Sequence, residues 1–262
     1  MTPHQTSRYW QRRLEKDHKP PHPARLSAWK RPAYQLLLWV ERQSYGQAIT
    51  ALPAYPHVWR AGRALALQMK WRHNDREVWR QVMVASTLVQ HWEQHGYPVS
   101  GVNIGDGYGF LTALLAKLSP STRWWSIDLP PMLDLQRETF ERTQTKAGLL
   151  APVDAEQLPS GIECAVNVCS MQEMTPKNVE YYFDLIRRRS TSRSHFYCVN
   201  RLIKDLGEDG VRRFQEYPWQ AQDQIFFDGA CAYFTHSLQW RPLRVKFYQS
   251  IWHRMVRLAP DS

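Results

Sequence analysis

From residue 97 onward the sequence alternates short apolar runs with amphipathic stretches, and the first junction between them is Gly105-Asp106-Gly107-Tyr108-Gly109. That alternation constrains the fold more than any other feature. Val99 to Ile104 reads as a strand, Phe110 to Leu118 as an amphipathic helix, and Arg123 to Ile127 as a second strand ending at Asp128. Pro131 to Ala147 is helical in pattern, a third short strand ends near Val153, and Cys164 to Cys169 is a fourth. Thr175 and Pro176 suit a helix start, a hydroxyl cap followed by proline at the first helical position. That helix carries Val179, Tyr182, Phe183 and Ile186 on one face and ends near Arg189. His195 to Val199 is a fifth strand, and Leu243 to Leu258 supplies a last strand or hairpin. Strands interleaved with helices predict an α/β fold with a doubly wound, mostly parallel sheet.

Residues 1–96 are different. They show helical periodicity and no clear strand alternation, and residues 1–32 are polar, basic and broken by Pro20, Pro21, Pro23 and Pro32. Helices are expected over Ala33–Gln43, over Trp59–Arg72 and, most clearly, over Asp75–His95. In the last of these, Val78, Val82, Ala85, Val89 and Trp92 recur at helical spacing beside Met83 and Leu88. Asn74 and Glu77 fit a capping box, and Gly96 with Pro98 fits a stop. The expected organisation is therefore a helical, basic N-terminal cap over 1–96 and a catalytic α/β domain over 97–262.

Charge follows the same boundary. The 262 residues carry a formal +10, but residues 1–96 hold 15 Lys/Arg against 6 Asp/Glu (+9), and residues 97–262 hold 19 against 18 (+1). A basic, tryptophan-rich cap suits an acidic or phosphorylated glycan, because arginine pairs bidentately with carboxylate or phosphate and indole faces stack on sugar rings. No apolar run approaches the roughly 20 residues needed to cross a bilayer, and no secretory signal is visible. Cys164, Cys169, Cys198 and Cys231 form no C-x-x-C pair, as expected of reduced core cysteines in a cytoplasmic protein.

The glycines define the candidate site. In a doubly wound sheet the ligand sits beyond the carboxyl ends of the strands, where strand order reverses. Glycines there let backbone N–H groups approach a ligand closely. The spacing is G-x-G-x-G, since Phe110 stands where a dinucleotide fingerprint needs its third glycine, and this weakens a nicotinamide reading. Asp128, 19 positions after Gly109, is placed to accept bonds from the ribose hydroxyls of a nucleoside. The segment Asp154-Ala155-Glu156-Gln157-Leu158-Pro159 precedes the fourth strand.

Together these segments resemble the class I S-adenosylmethionine-dependent methyltransferases. The resemblance implies a Rossmann-like domain binding S-adenosylmethionine, with Gly105, Gly107 and Gly109 beside the amino acid portion, Asp128 on ribose and Asp154 accepting from the adenine amino group. Ala155 beside Asp154, and Asn167 at the end of the fourth strand, belong to the same expected contact set. The acid common two positions before the first glycine is replaced by Asn103, and Asp106 is the expected substitute.

Acceptor chemistry should come from the loops after strands 4 and 5. No N-P-P-Y or D-P-P-Y follows strand 4, which counts against amine methylation of a nucleobase. Asn167-x-x-Ser170-x-Gln172-Glu173-Met174, Asn200-Arg201 and Tyr217-Pro218-Trp219 resemble the sugar O-methyltransferase family of bacterial polysaccharide and glycoconjugate pathways. This implies methylation of a sugar hydroxyl with Gln172, Asn200 and Arg201 near the acceptor. Glu173 is the candidate base, acceptor ligand or metal ligand, and its other reading is a helix-start acid favoured by the dipole. His236 is the second candidate base and His57 a third. No clustered metal-ligand spacing is present, and divalent-metal dependence stays open, with Glu173 and Asp106 the first acids to test. A small hydroxylated natural product and, through the basic cap, RNA are the competing acceptors.

Overall fold

The computed structural model describes residues 51–70, 76–231 and 251–259, together with residues 239–241 and 244–246 and single positions at 32, 36, 39 and 49. The expected helix over Ala33–Gln43 therefore lies almost wholly outside the described residues, as do Asn74 and His236. Two helices, α1 (Tyr55–Gln68) and α2 (Arg76–His95), precede the sheet. Then come β1 (Ser100–Ile104), α3 (Phe110–Leu118), β2 (Arg123–Ile127), α4 (Pro130–Thr143), β3 (Ala147–Leu150), β4 (Ile162–Val168), α5 (Pro176–Arg189) and β5 (Ser190–Arg201). A hairpin of β6 (Ile203–Asp205) and β7 (Val211–Arg213) follows, then β8 (Gln224–Ala230), the pair β9 (Gln239–Arg241) and β10 (Arg244–Lys246), and β11 (Ile251–Arg257).

Seven strands form one sheet in the order β3-β2-β1-β4-β5-β11-β8. β1 to β5 are mutually parallel; β11 is antiparallel to both β5 and β8, so it alone opposes the rest. The chain runs outward from β1 to β3 and then returns to place β4 on the other side of β1. The reversal opens a crevice between the carboxyl ends of β1 and β4. The sheet is thus the expected Rossmann-like, mostly parallel arrangement, with helices on both faces.

Alternate side chains of the central strands feed two cores. On one face Trp124, Cys164, Val166, Tyr197 and Val199 pack against α1, α2 and α3. All seven apolar positions of the α2 stripe named above are buried. This core joins buried residues of α1 and α2 to those of the sheet, from Ala54 to Met255. On the other face Val102, Ile104, Ala165, Phe196 and Cys198 pack against α5 and an aromatic segment, Phe214 to Trp219. Arg187 of α5 anchors that segment. Its guanidinium, almost fully buried, meets Asp223 Oδ1 at 2.7 Å and Oδ2 at 3.0 Å and donates to the carbonyls of Pro218 and Ala259. The four cysteines are free thiols. No helix of the described residues is long and apolar enough to cross a membrane.

Candidate active site

The glycine loop bridges β1 and α3 at the crevice. Gly105, Gly107 and Gly109 have φ values of +76°, +65° and +79°, backbone that side chains rarely tolerate. Gly105 and Gly107 differ in what surrounds them. A Cβ on Gly105 would fall inside 3.0 Å of Ser170 Oγ and Cβ, whereas one on Gly107 would meet only Met132 Cε, at 4.0 Å. Gly105 is therefore glycine for packing, and Gly107 is the position open to a ligand.

Asp106 turns away from that opening. Its Oδ1 accepts from Leu111 N at 3.2 Å and its Oδ2 from Thr112 N at 2.8 Å, so it caps α3. Burial pushes its carboxyl up to about 6, against the pull of the Thr112 and Leu111 donors. With both oxygens on the helix amides, Asp106 supports the loop from beneath.

Asp128 is the acid that faces the loop. Its Oδ2 accepts from Gly107 N at 2.8 Å and from Gln136 Nε2 at 2.9 Å, and its Oδ1 from Leu129 N at 2.8 Å. Burial raises its pKa to about 7; the Gly107 and Leu129 amides pull it back, the Asp106 charge raises it, and Gln136 lowers it. A carboxylate offers about four acceptor positions. Three are filled, so the existing bonds leave room for one more hydroxyl rather than two.

Gln136 was not among the expected site residues. It is fully buried, and its Nε2 also donates to Gly107 O at 3.0 Å, so both the N–H and the carbonyl of Gly107 are held. Its Oε1 has no hydrogen-bond partner. The signal for it was present: Leu133, Gln136 and Phe140 share the buried stripe of α4, and a polar residue on an apolar stripe needs a reason.

Asp154 lies in a 3₁₀ helix, Pro152–Gln157, between β3 and β4. Its Oδ1 accepts from Gln157 Nε2 at 2.9 Å, and Ala155 is buried beneath the turn. Glu156 pins this turn to α5 through Arg188 at 2.8 Å, Arg189 at 3.2 Å and the Tyr181 hydroxyl at 3.2 Å. The Arg188 guanidinium holds the Glu156 carboxyl down to about 2.

Beyond β4 the expected acceptor residues bond one another. Asn167 Nδ2 donates to Ile104 O at 2.7 Å and to Ser170 Oγ, and its Oδ1 accepts from Asn200 Nδ2 at 2.8 Å. Gln172 N donates to Asn200 Oδ1 at 3.1 Å, and Gln172 Oε1 accepts from Arg201 N at 2.8 Å. Asn167, Gln172 and Asn200 are all buried. They form a post that ties the ends of β1, β4 and β5 together. Cys169, at the tip of β4, has φ +58°, a left-handed conformation outside glycine that marks a strained turn. Burial pushes its thiol up to about 12, and the charges acting on it are Arg80 and Glu77 of α2, Glu173 and Arg201. The first turns of α2 thus lie over the same strand ends as Glu173, which is buried in the 3₁₀ turn Met171–Glu173.

Of the other histidines, His57 is half-buried within α1. His253 bonds the Tyr197 hydroxyl through Nδ1 at 2.9 Å, and burial lowers it to about 4, against the Asp228 charge. Among the described residues no group of three His, Cys, Asp or Glu is placed to hold a metal ion.

No family model and no curated protein matches the sequence. Several solved structures are similar in fold. A S-adenosylmethionine-dependent methyltransferase from Clostridium acetobutylicum is 13% identical, with 67% of this chain and 90% of that one covered and a TM-score of 0.47. Mitomycin 7-O-methyltransferase is 15% identical over 77% and 68% of the two chains, with a TM-score of 0.46. Coclaurine N-methyltransferase bound to N-methylheliamine and SAH is 13% identical over 57% and 51%, with a TM-score of 0.44. At these identities no residue's role is carried across.

Proposed function

We propose that this chain is an S-adenosylmethionine-dependent O-methyltransferase acting on a sugar hydroxyl of a polysaccharide, glycoconjugate or glycosylated metabolite. The observation that carries the cofactor reading is the cradle at the β1/β4 crevice. An open glycine, Gly107, stands beside a buried carboxylate with one acceptor position left. The single vacant position on Asp128 fits one ribose hydroxyl as donor. Asp154 is assigned to the adenine amino group. Bound there, S-adenosylmethionine supplies an electrophilic methyl group on a sulfonium.

The rest is positioning and a proton. The Asn167–Gln172–Asn200 post fixes the floor on which an acceptor rests, and Arg201 stands at its rim. Glu173, held in a water-poor turn beneath the start of α2, is assigned as the base that takes the acceptor hydroxyl proton at its carboxylate. An alcohol is a poor nucleophile until that proton leaves. The sugar assignment rests on the Asn167 to Met174 and Asn200-Arg201 motifs and on the +9 carried by residues 1–96.

Calorimetry with S-adenosylmethionine on the parent, Asp128→Ala and Asp154→Ala tests the cofactor site. Loss of about tenfold or more in affinity is expected for each, the worth of a hydrogen bond to a charged group; undiminished binding in both refutes the assignment. Incubation with labelled cofactor and a panel of glycans, small hydroxylated metabolites and RNA then identifies the acceptor. Glu173→Gln is expected to keep cofactor binding and lose turnover.

A further inference from the structure

A second pocket lies at the opposite, amino-terminal edge of the sheet. It encloses about 100 Å³ and is lined by Trp92, His95, Glu163, Arg193, His195 and Arg257, with the Gly96–Pro98 backbone. Glu163 opens β4 and Cys169 follows its end, so pocket and crevice stand roughly 20 Å apart at the usual rise per strand residue.

The pocket has more donors than acceptors. Glu163 is already engaged: its Oε2 accepts from Val99 N at 2.9 Å, and its Oε1 is 3.9 Å from Arg193 Nη1. Arg257 donates to the neutral Gln224 Oε1 at 3.2 Å and approaches His195 Nε2 at 3.5 Å. Among the described residues no carboxylate pairs with it, and its buried Nε has no partner. The carbonyls ending α2 add little negative potential, because Trp92 O accepts from Gly96 N at 2.7 Å and His91 O bonds His95 Nδ1 at 2.9 Å. Behind the wall, His91 stacks on His95 at 4.2 Å and meets His195 edge-on at 4.4 Å.

We infer that this pocket binds a single tetrahedral oxyanion, inorganic phosphate or the phosphoryl group of a small phosphomonoester. The donors come from two strands of opposite direction, Arg193 and His195 from β5 and Arg257 from β11, and so converge from different directions. That geometry suits a tetrahedral group better than a planar carboxylate. The Arg257 guanidinium, which faces no carboxylate among the described residues, gains a charge-assisted partner when the anion enters. Burial is the main cause of the low histidine pKa values at this wall, and nearby positive charge adds to it. Burial, the charge of His91 and that of Arg257 hold His195 down to about 3, and burial with the His95 and Arg257 charges holds His91 down to about 4.

The test is titration of the full chain with inorganic phosphate and with glycerol 3-phosphate at constant ionic strength, followed by calorimetry and by the histidine ring resonances. Saturable binding that moves the His95 and His195 signals is expected, with Arg257→Gln weakening it about tenfold or more, the worth of one charge-assisted bond. The ranking of the two ligands identifies the natural source. Arg193→Gln, at a mostly exposed side chain, gives a second variant should Arg257→Gln fold poorly. The proposal is overturned by absence of saturation with a Kd below roughly 10 mM. Equal shifts from chloride at matched ionic strength, or binding that survives both substitutions, overturn it as well.

Discussion

Adding one methyl group at Gly105 tests the packing of the loop directly. Gly105→Ala carries two costs. Placing a side chain at φ +76° costs about 1–2 kcal/mol, the left-handed penalty for an L-residue. The new Cβ would also fall inside 3.0 Å of Ser170 Oγ and Cβ. Ser170 cannot swing aside freely, because its hydroxyl bonds Ile104 O at 2.9 Å and accepts from Asn167. Overpacking of this kind costs about 1–3 kcal/mol more, for a total of about 2–5 kcal/mol. Gly107→Ala, at φ +65° with open space around it, carries the backbone cost alone. Urea unfolding of both variants reads the difference. A Gly105→Ala/Ser170→Gly double-mutant cycle reads its cause, since relief of the clash requires a favourable coupling of about 1–3 kcal/mol. Equal costs at the two glycines, or strict additivity in the cycle, would refute this reading of the loop.

Two further outcomes are expected. Burial pushes Asp128 up to about 7, and a ribose hydroxyl donates much more strongly to its ionised form. Binding therefore lowers its pKa, and cofactor affinity measured by calorimetry should fall by up to about tenfold per pH unit below 7 and level off above it; a profile flat from pH 5.5 to 8.5 would remove Asp128 from the contact. At the buried ion pair, Arg187→Met leaves Asp223 without its partner and should cost about 3–5 kcal/mol in urea unfolding. Arg187→Met/Asp223→Leu should recover much of that, and failure to do so would mean that the guanidinium bonds to Pro218 and Ala259 carry the stability instead.

Much of the fold was legible because its central elements are buried on known faces. The limits of α3, β2 and α5 coincide with those expected from Phe110–Leu118, Arg123–Ile127 and the Thr175 cap, where apolar period and punctuation agree. β8 escaped notice because an edge strand is covered on fewer sides: Gln224–Ala230 is half exposed and includes Asp228 and Gly229. β5 begins five residues earlier than expected, through a polar start at Ser190 that no apolar run announces. At the site, Asp128 and the glycines stood out by position alone. Gln136 did not, since its bonds to Gly107 and Asp128 join residues 29 and 8 positions away across a turn. The same distance problem hid the character of Asn167, Gln172 and Asn200. Each is a plausible contact in sequence, and their mutual pairing gives them a structural role as well.

The lone reversed strand sets an order of assembly. Among the described residues β8 hydrogen-bonds to β11 and to no other strand, yet twenty residues separate the two along the chain. A chain emerging from the ribosome can complete β1 to β5, and with them the whole glycine crevice, while β8 still waits without a partner. Losing the last strand would therefore strip two from the sheet and bare the flank of β5, with its unpaired amides from Phe196 to Arg201. β11 acts as the clasp between the strands that carry the glycine crevice and the outermost edge of the sheet.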